Sequence, residues 1–241
     1  MRPVAWVAMT APGSIARRRR GPRTAAPGWT VLELLSGAGL LGLAALAGLA
    51  FVHRPWPNRL DTIGFSRLAS DPSSRWAHDL VNVGSLHVLL IGVVALFAVG
   101  LTRDWLRALS CAVAPLVAVL IVQDVAKPLV GRHIGIAGGS SYPSGTVAAV
   151  AALATGAMLV APRLLRAPVA LAGLVVVTAT CAAVIVLRWH YPTDALGGVG
   201  VGAGAVLLLD GLLHLPWALA RWMSSSPSAP GSLAGSRPLP A

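Results

Sequence analysis

His190 and Asp194 are spaced i, i+4 across Pro192 in the segment RWHYPTD. Four residues is one helical turn, so a carboxylate at 194 can reach an imidazole nitrogen at 190, fix its tautomer and leave the other nitrogen as a nucleophile or base. An interfacial histidine beside an aspartate that caps the next helix fits the same residues. Upstream, Tyr142-Pro143-Ser144-Gly145-Thr146 opens an apolar run. Free backbone N–H groups at such a helix start bind anionic oxygens, and an ordinary capped helix is the plainer reading.

Cations stand near both clusters. Lys127 and Arg132 follow one apolar run, and Arg188 precedes the histidine by two residues. Each alone reads as a side chain snorkelling toward headgroups; converging on His190, the three would cradle an oxyanion. Asp124, one turn before Lys127, is placed either to hold that lysine or to stand solvated at the interface. All but one of the 19 basic residues are arginine, and the single lysine is Lys127. That usage points to a position needing a compact ammonium instead of a planar fork.

The elements that position these groups are membrane helices. The chain is 56% hydrophobic and 11% charged, which excludes an ordinary soluble domain. Apolar runs are expected as helices at about 29–52, 85–101, 106–126, 144–161, 168–187 and 193–214. The fold class is therefore all-α, a polytopic bundle of about six transmembrane helices. Its domain spans 29–217, between a disordered basic arm (1–28) and a disordered tail (218–241). Residues 53–84 form a connector with room for a short interfacial helix. The glycines of the last run, Gly197, Gly198, Gly200, Gly202 and Gly204, follow no strand and read as close helix packing, not as a dinucleotide fingerprint. Cys111 and Cys181 lie in apolar runs without CxxC spacing and read as buried thiols.

The net charge of +11 lacks the aromatic-interleaved basic face of a nucleic-acid binder, so anionic lipid headgroups are its expected counter-charge. Twelve basic residues fall in the arm, the tail and the connectors at Arg103/Arg107 and Arg163/Arg166, against seven on the opposite side. By the positive-inside rule the termini are cytoplasmic, and both polar clusters face outward from a multi-pass protein of the cell membrane.

The joint order of a Lys/Arg cluster, Pro-Ser-Gly at one helix start and His-x-x-x-Asp at another resembles the type 2 phosphatidic-acid phosphatase family, membrane relatives of the vanadium haloperoxidases. The Arg-rich, Ala/Gly-rich usage suggests its bacterial branch. The resemblance implies a phosphatase/haloperoxidase-like fold, no metal and no other cofactor, and a phosphorylated membrane lipid as partner. It makes His190 the nucleophile that forms a phosphohistidine and Asp194 its orienter. Lys127, Arg132, Ser144 and Gly145 become the oxygen-binding set, with Thr146 beside them and Arg188 as a replacement cation.

Three departures stand in the motifs. The family's second Arg and its Pro are Ile134 and Gly135, the histidine after Pro-Ser-Gly is Thr146, and the Ser-Arg pair ahead of the nucleophile is Ala183-Val184. The histidine lost at 146 is the family's general acid, for which His133 is a candidate stand-in. A Thr hydroxyl cannot protonate a leaving alkoxide near neutral pH, whereas a phosphate leaving group departs without a proton. The expected preference is therefore for lipid diphosphates such as a polyprenyl diphosphate. A non-catalytic binder of phosphorylated headgroups or a partner protein, and a small transporter, are the alternative functions.

Overall fold

The computed structural model describes residues 27–54, 56–134 and 140–225. All six expected apolar runs are helical: α1 (Pro27–His53), α4 (Leu86–Leu101), α5 (Trp105–Leu120), α7 (Gly145–Val160), α8 (Arg166–Val186) and α9 (Pro192–Ser225). Between α1 and α4 lie two short helices, α2 (Arg59–Leu68) and α3 (Arg75–Asn82), and α5 continues through a π-helical turn, Ile121–Ala126, into α6 (Lys127–Val130).

Four of the described helices are by themselves long and apolar enough to cross a membrane, and five segments qualify if α3 and α4, bent by 44°, make one span. The exception among the expected spans is α7. Its 16 residues rise only about 24 Å. Its first half is enclosed by neighbouring helices, so it has little contact with lipid. The last helix outruns expectation, continuing past 214 and 217 to Ser225 with Pro216 inside it. Pro27 and Gly28, assigned from sequence to the basic arm, open α1. The arm before Pro27 and the tail after Ser225 lie outside the described residues.

α9 is the central helix, packed against α1, α5 and α7, and its glycines make this possible. A Cβ on Gly202 would lie 2.2 Å from the carbonyl oxygen of Ala148, and one on Gly198 2.5 Å from that of Ser144, so the α9 and α7 backbones touch there. On another face Gly204 meets Gly37 of α1. Gly202→Leu is expected to destabilise the protein by about 1–3 kcal/mol or more, through overpacking against main chain that cannot yield. Thermal unfolding in detergent measures this, and an unchanged midpoint would refute the packing account.

A polar network joins the helices at the end remote from His190. Arg107 donates to Asp210 (3.3 Å) and Glu33 (3.4 Å), and Ser110 donates to Asp210 (2.7 Å). His214 sets Nε2 3.0 Å from Asp104 Oδ2 and Nδ1 2.8 Å from the Asp210 carbonyl oxygen. Asp210 and His214 are buried members of this network tying α1, α5 and α9 together.

Candidate active site

Three chain segments meet at the other end of the bundle: the exit of the α5–α6 helix, the start of α7, and the α8–α9 turn. Gly131, in the left-handed region (φ 60°), ends α6. The chain then turns inward, so that Arg132 is fully buried. Its guanidinium lies 3.9 Å from the Phe51 ring centroid and 4.8 Å from that of Tyr191. It donates to Asp194 Oδ1 (2.6 Å), to Thr193 Oγ1 (2.8 Å) and to Asp61 Oδ2. A buried guanidinium needs such partners, because desolvation of an unpaired charge is prohibitive. His133 and Ser140 form an antiparallel bridge that closes the loop, and residues 135–139, including Gly135, lie outside the described residues.

Ser144 is the N-cap of α7, its Oγ accepting from Val147 N–H at 3.5 Å. Its own N–H donates to the Asp194 carbonyl (2.9 Å), which joins the starts of α7 and α9. The first-turn N–H groups at Gly145 and Thr146 lack intrahelical acceptors, as at every helix N-terminus. Gly145 is buried, and a Cβ there would lie 2.8 Å from Gln123 Nε2, so the Gln123 amide rests on the opening of α7. Thr146 is half-buried against the α3–α4 junction, where a Cβ on Gly84 would meet its Cγ2 at 2.5 Å.

His190 is 9% exposed. Its Nδ1 lies 2.8 Å from the Ser141 carbonyl oxygen and 4.0 Å from Asp194 Oδ2. A carbonyl only accepts, so Nδ1 carries the proton and Nε2 keeps its lone pair. The hydrogen-bond partner of the imidazole is thus Ser141 instead of Asp194. Asp194 is engaged elsewhere, with Oδ1 on Arg132 and Oδ2 accepting from Tyr191 N–H at 2.8 Å. Burial, reinforced by the Lys127 charge and partly offset by the Ser141 carbonyl, pushes the His190 pKa down to about 4. The imidazole is therefore neutral at physiological pH. Burial also pushes the Tyr142 phenol up to about 12, and that hydroxyl donates to the Ala44 carbonyl (2.6 Å).

Lys127 is half-buried at the helix exit. Asp124 is exposed and makes no ion pair with it among the described residues. Arg188 is exposed, with its backbone in the left-handed region (φ 59°), a rare conformation for a long side chain that costs about 1–3 kcal/mol. His133 is exposed at the mouth of the loop. The structure thus gathers Lys127, Ser144, Gly145, Thr146, Arg188, His190 and Asp194 at one end of the bundle and withdraws Arg132 beneath them.

Sequence reasoning did not single out Ser141, Asp61 or Gln123. Ser141 acts through its main chain, which carries no residue-type signal. Asp61 announces only a local capping box with Asn58, and its contacts with Arg132 and Thr193 are long-range. Gln123 sits in a π-helical turn, a distortion frequent at functional sites that apolar periodicity does not reveal.

Residues 123–214 match the family model described as the PAP2 superfamily, a span containing every site residue named from the sequence. The resemblance read from the motifs is thus supported over this segment, which is less than half of the chain. Its fold matches the crystal structure of a transmembrane PAP2-type phosphatidylglycerolphosphate phosphatase from Bacillus subtilis, with TM-score 0.58, 20% identity, and coverage of 74% of this chain and 96% of that one. No curated protein is matched.

Proposed function

We propose that the protein is an integral membrane phosphatase or diphosphatase of lipid phosphates, acting at the extracytoplasmic face of the cell membrane through a phosphohistidine at His190. The observation that carries this reading is the state of His190: neutral, with Nδ1–H bound to the Ser141 carbonyl and the Nε2 lone pair available. The similarity of residues 123–214 to the PAP2 superfamily model supports the reaction class, and the arginine distribution supports the facing, with both termini cytoplasmic.

In this scheme the phosphoryl oxygens rest on the N–H groups of Gly145 and Thr146 behind the Ser144 cap, with Lys127 and Arg188 supplying positive charge. The Nε2 lone pair attacks phosphorus as the bond to the leaving oxygen breaks, and that oxygen departs with the bonding pair. Water then attacks the phosphohistidine, releasing phosphate and returning the lone pair to Nε2. The Ser141 carbonyl and the Asp194 carboxylate face the positive charge that the ring acquires. Arg132, buried between carboxylates, positions Asp194 in place of touching phosphate. A diphosphate needs no proton at the leaving oxygen, so its hydrolysis tolerates Thr146; an alkoxide leaving group does not.

The test is to quench turnover of a labelled lipid diphosphate and look for phosphate bound to protein. An acid-labile, alkali-stable adduct at His190 is expected; label on another residue, or turnover without an adduct, would overturn the mechanism.

The pH profile supplies a second test. The nucleophile is the neutral imidazole, so lowering its pKa extends the active form toward acid. After correction for substrate ionisation, kcat/KM is expected to hold down to pH 5, with an acid limb near 4. A limb at the ordinary imidazole value of about 6.5 would contradict the buried, neutral ring.

A further inference from the structure

Asp61, on α2 in the connector between the first two apolar runs, is a fully buried carboxylate that the scheme above does not use. Its Oδ1 accepts from the Thr193 N–H (3.0 Å) and from the Thr193 hydroxyl (2.7 Å). Its Oδ2 takes the Arg132 guanidinium and the Asn58 N–H (3.2 Å). One face of α2 lies on the same turn: a Cβ on Gly64 would lie 2.6 Å from Pro192 Cγ, and the Phe65 ring is 5.3 Å from that of Tyr191.

The two segments that Asp61 joins are those between which the imidazole is held. On one side, the Arg132 carbonyl accepts from Ser141 N–H, and the Ser141 carbonyl in turn meets His190 Nδ1 at 2.8 Å. On the other side, Thr193 and Asp194 form the first turn of α9, directly after His190. A carboxylate buried this completely, with both oxygens committed, fixes its neighbours tightly because any displacement leaves charge unpaired.

We infer that Asp61 is a positioning residue of the phosphoryl-transfer site, tying the loop that carries Arg132 and Ser141 to the turn that carries His190 and so setting the imidazole's orientation. The inference rests on the phosphatase reading for its effect on turnover, though not for its effect on the ring. It gives the connector helix a function: α2 clamps the nucleophile's turn from outside the bundle.

A mere capping role makes a different prediction. Asp61 completes a capping box with Asn58, so a cap alone would lower thermal stability and leave turnover per folded molecule untouched. Asn58→Ala removes the side-chain half of the box, the bond from Asp61 N–H to Asn58 Oδ1, and keeps the bonds of Asp61 to Arg132 and Thr193.

The experiment uses the full-length protein in detergent, with phosphate release from dioleoyl phosphatidic acid and from farnesyl diphosphate expressed per folded molecule. Asp61→Asn is expected to lower kcat about 10–100-fold, by analogy with the outer partners that orient metal-ligating histidines, with KM within about threefold. Asn58→Ala is expected to keep wild-type kcat. In nitrogen-15 spectra of imidazole-labelled protein, the wild type is expected to show His190 as the Nδ1–H tautomer and Asp61→Asn a mixture of tautomers. Should Asp61→Asn not fold, Thr193→Val, which removes one bridging hydroxyl and no charge, is expected to move kcat and the spectrum in the same direction by a smaller factor. Wild-type turnover and an unchanged His190 spectrum in the variants would overturn the assignment. If the wild type releases no phosphate from either lipid, the phosphatase reading falls, and the spectrum alone decides whether Asp61 holds the ring.

Discussion

Replacing His190 by alanine is expected to lower phosphate release from any lipid substrate by at least about 10⁴-fold, with the protein still folded. The size follows from what the side chain does. In covalent catalysis the nucleophile is part of the reaction coordinate, and its removal leaves only substrate binding and electrostatic stabilisation by the rest of the site. The fold should survive, because the imidazole makes one hydrogen bond to the Ser141 carbonyl, and the packing at this end is carried by the α7–α9 contact and the buried Arg132 cluster. The measurement is phosphate release without added metal from a panel of lipid mono- and diphosphates, with monodispersity and a melting midpoint as controls. Turnover equal to wild type in a folded His190→Ala protein would rule out His190 as the nucleophile.

Thr146→His is the second large effect, and it runs the other way. Residue 146 lies in the first turn of α7, beside the N–H groups that face the phosphoryl oxygens in the proposed scheme. The Thr146 Cγ2 packs against the α3–α4 junction at Gly84, and the expected effect requires the larger imidazole to turn from that flank toward His190. It would supply the proton that an alkoxide leaving group needs. General acid catalysis of this kind is worth about 10²–10⁴-fold, so turnover of a lipid monophosphate is expected to rise by about 10²-fold or more. A diphosphate, whose leaving group departs as an anion, should gain less than about tenfold. The diphosphate preference expected of the wild type should collapse accordingly. Equal gains on both substrates, or none on either, would show that Thr146 does not set the leaving-group preference.

Much of the architecture was legible because a bilayer writes its demands into the chain. Backbone groups in hydrocarbon must be satisfied within the helix, so long apolar runs have few alternatives to helix. All six expected runs are helical for that reason. The glycine series in the last run likewise foretold close helix approach, since only Gly lets two backbones touch. Span count was less legible. Apolar composition does not distinguish a lipid-facing helix from one, like α7, whose first half is enclosed by its neighbours.

The site divides in the same way. Residue types and their order along the chain already grouped Lys127, the Ser144–Thr146 helix start, Arg188, His190 and Asp194 as candidates, because the proposed reaction needs cations, free N–H groups and an imidazole together. What those groups bond to was decided by tertiary structure. The i, i+4 spacing permitted an Asp194–His190 hydrogen bond, yet the backbone places Ser141 closer and spends Asp194 on Arg132 and Tyr191. Arg132, which the resemblance made a phosphate ligand, lies buried, with Phe51, Tyr191 and two carboxylates supplying the partners that a desolvated guanidinium needs. Asp61 stands 71 residues from Arg132, and nothing local in α2 records that pairing. The sequence by itself determined a helical membrane bundle and the candidate residues at one end of it; only the folded chain decided which carbonyl meets the imidazole and which partners take the carboxylates, because such choices depend on distances between segments far apart in sequence.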